Sequence, residues 1–143
     1  MKKLISIIFA AASLAACNDK TELGPEHRAE VKIDKIAYSA PIPDTDVEVT
    51  CDLSCEYGIY SAWIDYQIDD DPEVQQTGAK LYDGSDKRNV TWHYSATIPG
   101  QPAGTKISFR IFSYTPYGKL TIGSIVVYTV SETEPAEISL PNK

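Results

Sequence analysis

The chain is short of the residues on which most protein chemistry depends. Its 143 residues include two histidines, three cysteines and one methionine, and 13 Lys and Arg are outnumbered by 20 Asp and Glu. A net charge of −7 lacks the basic footprint that nucleic-acid binding needs, so a nucleic-acid partner is excluded. No second Cys/His pair follows Cys51 and Cys55 at ligand spacing, which argues against a zinc site. His27 and His93 fit no nucleophile–base–acid arrangement, and no pair of carboxylates is marked as buried. The expectation is therefore a non-enzyme that calls for no cofactor. Helical stripes are missing too, and only one apolar run is long enough to notice. Aromatic residues are present: nine Tyr, three Phe and two Trp supply area for a core, which argues against disorder in a chain of one-domain length.

The apolar run is at the N-terminus. Met1-Lys2-Lys3 precede the eleven residues Leu4–Leu14, and Ala15-Ala16-Cys17 follow. A charged start, a short apolar stretch and small residues before a break form a secretory signal. At about 1.5 Å per residue the run is too short for a hydrocarbon core of roughly 30 Å. Leu14-Ala15-Ala16-Cys17 resembles the lipobox of bacterial lipoproteins. The resemblance implies cleavage before Cys17, diacylation of its thiol and acylation of its new amine, with fatty chains such as palmitate. On this reading residues 1–16 are a lipoprotein signal peptide and 17–29 are the lipidated Cys with a flexible tether. Residues 30–131 are the folded domain, and 132–143 are a polar tail. Loss of Lys2 and Lys3 takes the net charge from −7 to −9. The membrane is then a partner through the lipid on Cys17 alone. Asp19 and Glu22 loosely resemble the surface-export signal of Bacteroidetes lipoproteins, although Lys20 interrupts it. The expected address is the outer membrane, lipid-anchored and surface-exposed, with a periplasm-facing position as the alternative.

From residue 30 onward the apolar period is two. Val47, Val49, Cys51, Leu53 and Cys55 alternate with polar residues, as do Ala62, Ile64, Tyr66 and Ile68. So do Val90, Trp92, Tyr94, Ala96 and Ile98, and then Ile107, Phe109 and Ile111. The pattern predicts strands near 30–38, 46–56, 59–69, 90–98, 105–114 and 119–130, with a short one near 79–83. Turn residues separate them, among them Thr115-Pro116-Tyr117-Gly118, whose Pro and Gly suit a type I turn closing a hairpin. About seven short strands with regular turns predict an all-β protein, an immunoglobulin-like antiparallel β-sandwich.

The stretch from Tyr94 through Thr97-Ile98-Pro99-Gly100 to Thr105, with Ile107, Phe109 and Tyr117-Gly118, resembles immunoglobulin-like or fibronectin-type-III-like domains of Bacteroidetes envelope lipoproteins. The resemblance covers roughly residues 30–131 and rests on turn and core residues, so it speaks to fold more than to function. It implies a non-catalytic binding or accessory module of a cell-envelope system, such as glycan uptake. A structural component of an envelope assembly or a pilus-like, adhesive complex is the alternative. The chain departs from immunoglobulin hallmarks: no Cys pair is placed to bridge two sheets, and Phe109 stands where a tyrosine corner would be sought.

Cys51 and Cys55 lie four residues apart on one strand face, about 13 Å along an extended chain. That exceeds the 4.4–6.8 Å a disulfide spans, roughly, between Cα atoms. Buried small hydrophobes are the first reading, and a bulge that lets them bond is the second. Asp69-Asp70-Asp71-Pro72-Glu73 reads as a solvated hairpin loop before a calcium loop. Asn89-Val90-Thr91 has the form of an N-glycosylation acceptor. The candidate binding patch is aromatic. If Ile64, Tyr66, Phe109 and Ile111 face inward, Trp63 points out with Phe112 and Tyr114, beside Arg110 and with Tyr117 at the adjacent turn. Such a patch suits a glycan or an envelope-protein partner, unless a neighbouring segment such as Ile138 and Leu140 of the tail covers it.

Overall fold

The computed structural model describes residues 24–84 and 89–132. The lipobox Leu14, Ala15 and Ala16, the lipidation candidate Cys17, much of the tether and residues 133–143 lie outside this set.

Strict alternation produces the central strands. In β2 (Val47–Ser54) and β5 (Thr91–Ile98), every second residue is buried. These pair with each other over eight positions, Val47 opposite Ile98 and Ser54 opposite Thr91, and β1 (Lys32–Tyr38) pairs on the other side of β2. The facing sheet is built on β3 (Ser61–Ile68) and β6 (Lys106–Tyr114), also paired over eight positions. β4 (Gln75–Leu81) flanks β3, while β7 (Leu120–Ile122) and β8 (Val126–Thr129) lie successively along the far side of β6. The described residues thus form a three-stranded sheet β1-β2-β5 and a five-stranded sheet β8-β6-β3-β4 with β7 on β6, antiparallel throughout. This is the all-β, antiparallel sandwich that the alternation predicts. Val49, Leu53, Tyr94 and Ile98 of one sheet and Ile64, Ile107, Phe109 and Ile111 of the other form its fully buried core. Phe109 meets Tyr38 and Tyr128 edge to face, at 6.4 and 6.3 Å between ring centres.

Three bulges shape the sandwich, and two of them lie where the pattern predicts something simpler. The run 119–130 is two strands rather than one. Phe112 is opposite Ile122 but Phe109 is opposite Val126, a one-residue slip taken up at Gly123-Ser124-Ile125. Since a slip by one residue exchanges the faces of a strand, it turns Tyr128 into the core and leaves Val127 outside. The short strand expected near 79–83 is the longer β4, and Gly78-Ala79 there oppose the single residue Trp63. Gly78, at φ +70°, lets the β4 backbone reach the other sheet: a Cβ on it would stand 2.3 Å from the Ala96 Cβ, and its carbonyl accepts the Tyr94 hydroxyl at 2.6 Å. The third bulge, in β1, centres on Lys35 at φ +55°.

Chain entrance and exit are at opposite poles. Pro25–His27 form a 3-10 turn whose His27 ring meets Tyr117, at the β6–β7 turn, edge-on at 5.1 Å. At the other end Ser131 N–H donates to Pro41 O, between β1 and β2, at 3.0 Å.

Candidate functional site

Because β3 and β6 are neighbours in register, the side chains that alternate out of the core form a grid on the outer face. Trp63 stands opposite Phe112, Ser61 opposite Tyr114, Asp65 opposite Arg110 and Gln67 opposite Ser108. Trp63 and Phe112 stack nearly parallel, 5.3 Å between ring centres and 9° between planes, and Tyr114 leans on the indole at 5.8 Å and 37°. The structure therefore brings together Trp63, Phe112 and Tyr114, with Arg110 one step further along β6. Arg110 is exposed, and its guanidinium makes no ion pair among the described residues. Asp65 opposite it accepts instead from Gln76 Nε2 at 3.4 Å. Trp63 Nε1–H is buried with no hydrogen-bond partner, a state that costs about 1–3 kcal/mol for a polar group.

Tyr117 is not part of this cluster. It lies 46% exposed at the pole, and its ring contact is with His27. The geometry supplies other members instead. Ile122 is opposite Phe112, Leu120 opposite Tyr114, Val127 opposite Ser108 and Leu81 opposite Ser61, which puts all four on the outer face. Val74 and Ile125 flank Arg110 and Phe112 around a depression of about 300 Å³. A second depression, of about 270 Å³, lies on the other flank between Trp63, Tyr114 and Leu81. Val74, Leu81, Ile122, Ile125 and Val127 are each more than half exposed. They were hidden in the sequence by the Gly123 slip and by β4, whose residues have no alternation of their own.

The other candidates take up structural duties. Cys51 and Cys55 are free and buried, and burial, reinforced by the neighbouring Asp52 charge, pushes the Cys51 thiol up to about 12. Cys55 lies just beyond the end of β2, its N–H bonded to Val90 O at 2.9 Å. The acidic loop after β3 is tied to β6. Lys106 N–H donates to Asp69 Oδ1 at 3.0 Å and Lys106 Nζ pairs with Asp70 at 2.9 Å. Among the described residues no three His, Cys, Asp or Glu converge as a metal site. Asn89 of the glycosylation-like triplet is 5% exposed, with its amide donating to Ile59 O and its carbonyl accepting Trp92 Nε1–H. It is a brace between loops, not a modification site. His93 Nδ1 lies 2.8 Å from Asp52 Oδ1 on the outer face of the three-stranded sheet. No helix of the described residues is long and apolar enough to cross a membrane.

Comparison with known proteins gives a fold and no family. No family model matches the chain, and no curated protein matches it. Among solved structures it is similar to one described as "Myokine structure", with a TM-score of 0.53 and 10% identity over 69% of this chain and 95% of that one. At that identity the likeness carries the sandwich alone.

Proposed function

We propose that this chain is a non-catalytic, lipid-anchored accessory module of a bacterial cell envelope, binding a partner protein through the outer face of its five-stranded sheet. The observation that carries the binding role is the joining of Trp63, Phe112 and Tyr114 to an exposed aliphatic margin around the unpaired Arg110. Soluble domains seldom leave so continuous an apolar area open unless it makes contacts. Aromatic and Arg anchors are also the side chains that dominate protein interfaces. A glycan is the less suited partner. Trp63 and Phe112 spend ring faces on each other instead of presenting them flat to a sugar.

The anchor rests on Leu14-Ala15-Ala16-Cys17 and the apolar run before it. Residues 17–23 extend to at most about 24 Å, so an acylated Cys17 would keep residue 24, on the side of the Tyr117 pole, within that distance of the bilayer. The outer membrane, with the domain turned outward, remains the address that Asp19 and Glu22 favour. A second reading, a subunit of an envelope assembly, draws on one feature: β7 and β8 pair only with β6 among the described residues, leaving their outer margin free.

The test uses the full chain in its native envelope. Fatty-acid labelling is expected on the wild type and absent from Cys17→Ser. Cross-linking is expected to join wild type to one envelope protein, and Trp63→Ala/Phe112→Ala to lose that adduct while keeping its β-sheet spectrum. An adduct of equal yield in that variant, or retention on a glycan that depends on Trp63, overturns the protein-partner reading.

A further inference from the structure

We infer that the partner protein is a second copy of this chain, docked outer face to outer face about a two-fold axis that runs parallel to β3 and β6 and between them. The inference rests on the proposed binding role of that face and deepens it by naming the occupant.

Asp65 and Arg110 are directly opposed across the β3–β6 ladder, yet they form no ion pair. Asp65 Oδ1 accepts instead from Gln76 Nε2 at 3.4 Å, and Arg110 is exposed with no carboxylate on it among the described residues. Two opposite charges, side by side and unspent on each other, are what a two-fold interface can use. In such an interface residue i of one copy meets residue j of the other, and j meets i.

The register decides which axis serves. An axis across the strands at this rung would lay β3 on β3 and β6 on β6, acid on acid and base on base. An axis along the strands carries each strand over its neighbour, so every outer side chain meets its own ladder partner from the second copy. Asp65 then faces Arg110 of the second copy, and Arg110 faces its Asp65, across the roughly 10 Å that separates packed sheets. The Trp63–Phe112 stack faces the same stack turned round, which joins four rings. The margins agree, because β4 of one copy passes over β7 and β8 of the other. Leu81 and Leu120 flank the Ser61–Tyr114 rung, while Val127 stands opposite Ser108 and Val74 lies beside Gln67, so apolar groups meet at both ends.

Charge balance selects the same surface. With 20 acidic residues against 13 Lys and Arg, copies of this chain repel one another through most approaches. Between β3 and β6 the outer face is neutral: Asp65 offsets Arg110, and Lys106 is paired with Asp70 at 2.9 Å. A partner of a single sign would set one of the two charges against its like. A second copy brings the same pair reversed.

The experiment follows two differently tagged copies of the full chain, co-expressed and cross-linked in the native envelope. Wild type is expected to give an adduct of twice the chain's mass that carries both tags. Arg110→Asp and Asp65→Arg each set like charges together at two points about the axis, and each is expected to lower the yield by about tenfold or more. Pairing one variant with the other restores it, since each supplies the charge the other lacks, and so does Asp65→Arg/Arg110→Asp within one chain. Neither side chain belongs to the buried core, so all of these keep the β-sheet spectrum. Wild-type tags that stay apart, single variants that pair as well as wild type, or a mixed pair without rescue overturn the inference. An adduct with a different envelope protein alone, lost in Trp63→Ala/Phe112→Ala, overturns it as well while leaving the face a binding surface, so the two readings fail separately.

Discussion

Asn89 shows how much of this sandwich hangs on single polar side chains. Its backbone sits at φ +45°, its carbonyl accepts Ile59 N–H at 3.0 Å, and its side chain bridges Ile59 O and the Trp92 indole. Asparagine tolerates the left-handed region better than most residues, and its amide offers a donor and an acceptor in one planar group. Asn89→Ala removes both bonds and leaves the Trp92 N–H and the Ile59 carbonyl buried without partners. The expected loss is about 2–4 kcal/mol, read as a lowered urea midpoint with an unchanged slope. Nothing in Asn89-Val90-Thr91 as a string distinguishes this brace from a glycosylation acceptor. Only the loop around Ile59 does, and loop closure is not a periodic signal.

At the scale of the strand, legibility follows the partner. β2, β5 and the inward residues of β3 and β6 lie between two neighbours or over the core, so burial imposes a period of two that the sequence displays openly. β4 has one sheet neighbour and reads Gln75-Gln-Thr-Gly-Ala-Lys-Leu81, without alternation, because its place is set by pairing with β3 and by Gly78 reaching Tyr94. The stretch Leu120–Thr129 contains enough apolar residues for either register, and Gly123, whose N–H binds Ile111 O at 2.7 Å, decides between them. The aromatic centre of the candidate site was therefore readable from β3 and β6, whereas its aliphatic margin was not. The same feature yields a prediction. Ile122, Ile125 and Val127 point away from the core, so Ile122→Lys, Ile125→Lys and Val127→Lys are each expected to change stability by no more than about 0.5 kcal/mol. Binding of a hydrophobic dye to the folded protein and the yield of the partner adduct should fall together. A collapse in stability would show that these residues pack against the core.

For the molecule as a whole, the buried acids point to a weakness at high pH. Burial raises the Cys51 thiol from 9.0 to about 12 and pushes the Tyr94 and Tyr128 hydroxyls upward from 10.0. Each of these groups holds its proton more tightly folded than unfolded. Its stabilisation is therefore fully present below the unfolded value and lost as pH climbs through the folded one. Thermal unfolding is expected to show a midpoint that falls steadily above pH 9.0, toward about 12. Cys51→Val should make the fall begin later, because the first of the three groups is gone. An alkaline limb of the same shape in that variant would remove Cys51 from the account.

The placement of the points where the chain enters and leaves the sandwich has a mechanical meaning. The chain arrives at the start of β1 beside Tyr117 and departs from the end of β8 beside Pro41, at opposite poles. If one end is held and the other pulled, the load runs along β1 and β8, parallel to the strands and across their ladders to β2 and β6. All the rungs of a ladder then carry the load at once instead of parting one by one. Such a domain resists stretching as a stiff strut.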